Sequence, residues 1–297
     1  MSNFYEFERR CQEIFESCGE VYHAYTSGKE TPILFINTEE LSFVMNVIAY
    51  AAYRFQNTIK IIAFEVMDNH FHFILSGCKN DISEFFKAIV KKLKRTIPQA
   101  GKLALYFKPI PDLNAMRNNI VYTNRNGYVV TPNHTPFSYP WGTGRYYFND
   151  ASSLARYEDI SFEKKREMMK GRAIDFPPDW QVTDGYISPA SYCAIGLGMA
   201  MFRDAHHYFS MISKNVEAYS GIAVDIDDGE FLTDQELFSE VLKILRTRYD
   251  GTKPTTLSPA QKLDLARTLH YDYHSSNGQI RRILGLGEYE VKQLFPK

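Results

Sequence analysis

The hydrophobic pattern switches between helical and strand periods several times before residue 100. Residues 4–17 read as a short amphipathic helix. EVYHAYTSG (20–28), aromatic and β-branched with turn residues behind it, reads as a strand. In NTEELSFVMNVIAYAAYRFQ (37–56), Leu41, Val44, Met45, Ile48 and Ala52 recur at helical spacing, with Thr38 as the expected N-cap. IKIIAFEVM (59–67) and HFHFILSG (70–77) are strands around Asp68-Asn69, which forms either a tight connection or a bulge. A helix over 81–97 follows, with Ile82, Phe85, Phe86, Ile89, Val90 and Leu93 on one face. Strand, helix, strand, strand, helix predicts an α+β domain with an antiparallel sheet.

The later half has a different texture. Residues 151–180 are polar and charged and end in FPPDW, the pattern of a loop or linker with a little helix. Helical patterns occupy 186–247, notably SYCAIGLGMAMF and DQELFSEVLKILRTRY. GTKPTTLSP (251–259) reads as a linker that delivers Ser258 as N-cap and Pro259 at the first helical position. No internal repeat or low-complexity tract interrupts the chain.

Composition narrows the class without choosing a function. A chain of 297 residues, 44% hydrophobic and 14% aromatic, can bury a real core, and at roughly 100–200 residues per domain it should hold about two domains. A net charge of −1 and a pI near 6.7 give no global field toward a polyanion. Cys11, Cys18, Cys78 and Cys193 form no C-x-x-C pair or zinc-finger spacing, so free thiols in a reducing cytosol are expected. The charged amino terminus has no apolar h-region and no apolar run reaches about 18 residues, so neither export nor membrane insertion is expected.

Candidate chemistry begins with His70 and His72. In a strand they point to one face, with Phe71 and Phe73 on the other. Two imidazoles so placed can hold a divalent metal, yet in a chain with eight histidines an H-x-H also arises by chance. The pair alone leaves both readings open; His206-His207, diverging on a helix, reads as structural. The sequence does not continue as H-x-H-x-D-H, which argues against a hydrolytic zinc site. Further on, in IVYTNRNGYVV (120–130), a helix over 112–126 would set Tyr122 and Asn126 one turn apart on one face. A tyrosine oxygen can attack a phosphodiester while a cation polarises the phosphate. Among 20 tyrosines most are structural, and Tyr128 is a near rival.

Taken together, VYHAYTSGKETPILF, IIAFEVMDNHFHFILSG, VYTNRNGYVV and SYPWGTGRYYF resemble the HUH single-tyrosine transposases, in particular the REP-associated branch. That family shows a strand beginning with histidine, then V-M-P-N-H-V-H, a Y-x-x-x-N-P helix and Y-x-W-S-S-Y. Order and spacing agree over about 20–150, half of the chain. The resemblance implies a ferredoxin-like α+β domain whose antiparallel sheet carries the histidines. It implies that His70, His72 and Asn126 bind Mg²⁺ or Mn²⁺ and that Tyr122 is the nucleophile. His23, at a strand position often occupied by histidine, is expected to pack. Three departures stand out: Asp68 replaces proline, Asn126-Gly127 shortens N-P-V-R-A-G so that the helix is expected to end early, and P-W-G-T-G-R replaces W-S-S-Y-R.

Two basic stretches are the expected DNA contacts. Lys87, Lys91, Lys92, Lys94 and Arg95 lie opposite the apolar face of the 81–97 helix, with Arg125 beside the tyrosine. Such a run is also what an ordinary solvated face looks like. Residues 258–295 read as three helices, the second closing at Gly285; NGQIRRILGL resembles the helix-turn-helix units of bacterial regulators and recombinases. Arg281 and Arg282 would face phosphate, with Glu288, Tyr289 and Lys292 near base edges, although Glu288 and Glu290 would repel phosphates. A three-helix packing or protein-interaction module is the alternative.

The expectation is therefore an HUH catalytic domain at 1–150, a mostly helical extension at 151–257 and a helix-turn-helix at 258–297. Its function would be cleavage and rejoining of single-stranded or hairpin DNA through a 5′-phosphotyrosine link in the cytoplasm, associated with the nucleoid. The family includes monomers and dimers that exchange active-site helices, so a homodimer is among the expected states. Two alternatives are a non-cutting DNA-binding regulator that retains the fold, and a metal phosphodiesterase without a covalent intermediate.

Overall fold

The alternating residues of 60–76 pair as an antiparallel hairpin in the computed structural model, which describes residues 2–28, 31–130, 135, 137–149, 155–214, 216–226, 228, 232–251 and 253–295. The elements of the first half are α1 (Ser2–Ser17), β1 (Val21–Tyr25), α2 (Thr38–Phe55), β2 (Lys60–Val66), β3 (Phe71–Ser76), α3 (Lys79–Leu93), β4 (Tyr106–Pro109) and α4 (Leu113–Val130). The four strands form one antiparallel sheet in the order β2-β3-β1-β4. With α2 and α3 as its crossovers, this is the β-α-β-β-α-β arrangement of a split βαβ fold.

Strand alternation gives the sheet two unlike faces. Phe64, Phe71, Phe73 and Leu75 point to one of them and pack with Phe43, Met45 and Val47 of α2 and with Ile82, Phe85 and Ile89 of α3. Phe73 alone meets the rings of Phe64 at 5.6 Å, Phe85 at 5.8 Å and Phe71 at 6.0 Å. Against the opposite face packs α4. The amino-terminal α1 is pinned to α4 by Arg117, whose guanidinium forks onto Glu8 at 2.9 and 3.0 Å and donates to the Met201 carbonyl.

Several local expectations change. Asn37, not Thr38, caps α2, its side chain accepting the Glu40 N–H at 2.9 Å. Asp68-Asn69 is a tight connection, closed by the Met67 N–H donating to the His70 carbonyl; the sheet irregularity falls instead between Ile61 and Ala63. Nor does α4 stop at Asn126: it runs through Gly127 to Val130. A Cβ on Gly127 would sit 2.2 Å from the Tyr139 ring, so glycine here admits an aromatic ring rather than ending a helix.

Residues 155–180, expected as loop or linker with a little helix, hold β5 (Ala155–Arg156) and α5 (Phe162–Met168); β6 (Gln181–Thr183), β7 (Tyr186–Ile187), α6 (Ile195–Met199) and α7 (Ala205–Lys214) follow, the last two in the stretch expected to be helical. Tyr157, Met168, Phe176, Trp180 and Ile187 form a second apolar cluster around Ala49 of α2. Buried Asn46 of α2 stitches it down, donating to the Met168 and Gly185 carbonyls and accepting the Ile187 N–H. The first compact unit ends at Lys214.

Residues 215–297 form a second unit. It holds α8 (Val216–Asp225), α9 (Asp234–Arg248), α10 (Pro259–Tyr271), α11 (Asn277–Leu284) and α12 (Glu288–Leu294). Ser258 caps α10 with Pro259 in its first turn, and Gly285 ends α11 in the left-handed conformation at φ 63°, both as expected. Leu237, Val241, Leu265, Leu269, Ile280, Leu284 and Val291 are buried. Among the described residues, no helix is long and apolar enough to cross a membrane.

Candidate active site

The sheet face under α4 is polar where the other is aromatic. Strand register places Glu65 of β2, His72 of β3 and Tyr25 of β1 side by side. His70 stands two residues before His72, in the connection at the entry to β3, and the two imidazole centroids are 4.9 Å apart. Above them α4 brings Tyr122, whose ring lies edge-on to His72 at 5.9 Å and to His23 at 6.1 Å. Asn126 follows one helical turn later and is buried. The two histidines and the tyrosine thus meet in one place although about 50 residues separate them. Tyr122 is fully buried, with 0% of its surface exposed.

Each imidazole is held through its Nδ1. That of His70 lies 2.6 Å from Asn69 Oδ1, while the Asn69 amide donates to the Gly28 and Thr31 carbonyls at 2.8 Å each. Those two donations fix Asn69 with its oxygen toward His70, so His70 Nδ1 carries the proton and Nε2 the lone pair. Gly28 allows this closure: a Cβ there would come within 2.9 Å of His70 Nδ1. For His72 the Nδ1 partner is His23 Nε2, 3.0 Å away. Packing was the expected role of His23; in addition it contacts His72 directly.

Glu65 was missed by sequence reasoning because it stands in the apolar run IKIIAFEVM. Burial pushes its carboxyl well above the usual carboxylate range, against the lowering effect of the Gly127 and Asn126 backbone N–H groups. Its Oε2 and the Asn126 Nδ2 are buried without hydrogen-bond partners among the described residues, one an acceptor on β2 and one a donor on α4. Among the described residues these two buried polar atoms on facing elements mark the polar layer between the sheet and α4. Two imidazoles beside an amide oxygen make a donor set that can hold a divalent cation.

The segment around residues 139–143 binds to the edge of β2. Val66 donates to the Trp141 carbonyl, Thr143 N–H to Phe64, and the Tyr139 hydroxyl to Val66 at 2.8 Å. Thr143 Oγ1 in turn donates to Asn124 Oδ1 of α4 at 2.7 Å. These contacts fix α4 against β2, and with it the height of Tyr122 above the histidines.

The expected DNA contacts divide. Lys87, Lys91, Lys94 and Arg95 line a groove of about 640 Å³ between α3 and β4, floored by Phe86, Val90, Leu103, Leu105 and Phe107. Lys92 leaves that row and lies over the Tyr50 ring at 5.8 Å, where burial and then Arg95 lower its ammonium pKa. Arg125, on α4, is fully buried. In the second unit Arg282 forks onto Asp234 at 2.6 and 3.0 Å rather than standing open. Arg281 and Lys292 both reach Glu288, at 3.6 and 2.8 Å, and draw its carboxyl below the usual range, Lys292 most strongly. Tyr289 is 73% exposed.

No protein-family model and no curated protein matches the chain. Among solved structures it is similar to a REP-associated tyrosine transposase bound to a REP hairpin, at 14% identity and a TM-score of 0.36, over 56% of this chain and 94% of that one.

Proposed function

We propose that the first unit is an HUH-type strand transferase that cleaves and rejoins single-stranded DNA through Tyr122. The observation that carries this reading is the meeting of Tyr122 with His70 and His72 on one sheet face, in the order and spacing of the motifs quoted above. The Tyr122 oxygen would attack the phosphorus of a phosphodiester. The bond to the 3′ oxygen breaks, that oxygen takes up a proton, and the 5′ phosphate stays on the phenol. Attack by another 3′-hydroxyl reverses the step and rejoins a strand, so bond energy is conserved and transfer is favoured over hydrolysis. His70, His72 and Asn126 would hold Mg²⁺ or Mn²⁺, whose chemistry is to neutralise charge on the non-bridging phosphate oxygens. Asn126 also keeps Tyr122 in register, one turn behind it on α4. The groove with Lys87, Lys91, Lys94 and Arg95 would carry backbone phosphates on its rim, and the last three helices would recognise a hairpin or duplex flank.

A specific observation favours a second reading. A phenol with no exposed surface cannot receive a phosphate without a rearrangement that uncovers it. A non-cutting DNA-binding protein that retains the fold would need no such step. One experiment decides: incubate the full chain with Mn²⁺ and a pool of randomised single strands and hairpins, and look for a denaturation-resistant adduct. Strand transfer predicts an adduct in the wild type, none in Tyr122→Phe and little in His70→Ala. DNA binding without any adduct across the pool would overturn it in favour of the second reading. Turnover that survives Tyr122→Phe would point to a phosphodiesterase instead.

A further inference from the structure

Besides Tyr122 and the His70–His72 pair, a third histidine lies under α4. His23, on β1, is fully buried, and its two ring nitrogens face two different side chains. Nδ1 lies 2.8 Å from Asn119 Oδ1 and Nε2 lies 3.0 Å from His72 Nδ1. The Asn119 amide nitrogen is already committed, donating to the Ala115 carbonyl one turn back on α4 at 2.8 Å. The atom that Asn119 presents to His23 is therefore its oxygen, an acceptor.

From that point each proton has one place to be. An acceptor at Asn119 requires a proton on His23 Nδ1. In a neutral imidazole the other nitrogen then carries the lone pair, so His23 Nε2 accepts. Its donor is His72 Nδ1–H, and the lone pair of His72 is left on Nε2. We infer that His23 is a positioning residue: with Asn119 it holds His72 in the tautomer whose Nε2 bears the lone pair needed by a metal ligand. Asn69 does the same for His70 by a shorter route. The two histidines of the pair reach the same tautomer through unrelated partners, one in the preceding turn and one across the sheet on β1 and α4. A metal-ligating imidazole is oriented by the partner of its other nitrogen, and loss of such a partner typically costs about 10–100-fold in affinity.

This inference rests on reading His70 and His72 as metal ligands, but the proton positions are testable without metal. The test uses the full chain labelled with ¹⁵N-histidine, metal-free and at mildly alkaline pH, where imidazoles are neutral. Long-range ¹H–¹⁵N correlation shows which ring nitrogen of each histidine carries the proton, with assignment by single His→Gln variants. The expected result is Nδ1–H for His23, His70 and His72. A proton on His72 Nε2 would overturn the inference in the wild type alone, before any variant has to fold. Among variants, His23→Leu and Asn119→Leu should release His72 toward the Nε2–H form and weaken Mn²⁺ binding by about 10–100-fold. His23→Gln, whose side-chain oxygen can still accept the His72 proton, should keep most of the affinity. Equal affinity in His23→Leu and wild type would sink the relay while leaving the metal site intact. The stated tautomers in a protein that binds no Mn²⁺ would sink the metal reading and leave the relay standing.

Discussion

The two faces of one sheet, built from the same four strands, obey different rules. On the α2–α3 face Phe64, Phe71 and Phe73 pack into a cluster of aromatic and aliphatic side chains. On the α4 face the neighbours of those same residues in sequence, Glu65, His70 and His72, meet Tyr122 and Asn126. Apolar packing is concentrated on the first face and the proposed chemistry on the second. Alternation lets the protein keep a buried polar cluster because the reverse side of each strand anchors it in a close-packed core.

The first way to break this comparison is at Tyr122. Its change to phenylalanine should abolish covalent DNA attachment while the protein still unfolds cooperatively near the wild-type midpoint, measured by adduct gel and by denaturant titration. The mirror experiment is Phe73→Ala, which removes a ring touching three others and should cost about 3–5 kcal/mol in urea unfolding. If Phe73→Ala cost less than Tyr122→Phe, the division of labour between the faces would be wrong.

A smaller effect tests how α4 is seated. Gly127→Ala drives a Cβ into the Tyr139 ring and should cost about 1–3 kcal/mol by overpacking, with adduct formation falling as Tyr122 is displaced. An unchanged stability and rate would show that Tyr139 does not set the helix height.

Glu65 provides the pH arm. Because burial raises its folded-state pKa above the ordinary 4.5, the native protein keeps a proton that the unfolded chain has lost. Its contribution is fully present below 4.5 and is lost as pH rises from there toward the folded-state value, by at most about 1.4 kcal/mol per pH unit. Without divalent metal, Glu65→Gln should remove that slope and gain on wild type as pH rises, as read from denaturation midpoints across pH. A parallel pair of curves would mean that Glu65 is ionised in the native state. The smallest effect belongs to the second unit, where Asp234→Ala should change stability by about 0–1 kcal/mol, the range of exposed pairs.

Much of the first face was legible in the sequence, because period-2 and period-3.6 patterns report which side of an element is apolar. The histidine strand, the helix expected over 81–97 that in fact spans Lys79–Leu93, and the capped start at Ser258 all follow from such local signals. What stayed hidden depends on contacts distant in sequence. Gly127 looks like a helix end until Tyr139 is seen against it. Residues 151–180 look like a linker because Tyr157, Phe176 and Trp180 are scattered among charges, yet they converge on α2. On the chemical face His70, His72, Tyr122 and Asn126 could be picked out by spacing and resemblance. Glu65 could not, since one acidic residue in an apolar strand carries no motif, and the His23–His72 contact joins residues 49 apart. The burial of Arg125 in α4 likewise carries no local signal, since a charge in a polar run reads as exposed.

The most direct measurement is peptide mapping of protein linked to an oligonucleotide. After nuclease and protease digestion, the residual nucleotide mass should sit on the peptide containing Tyr122 and fragment to that residue. Nucleotide on Tyr128, or on any other tyrosine, would contradict the assignment of Tyr122 as the nucleophile.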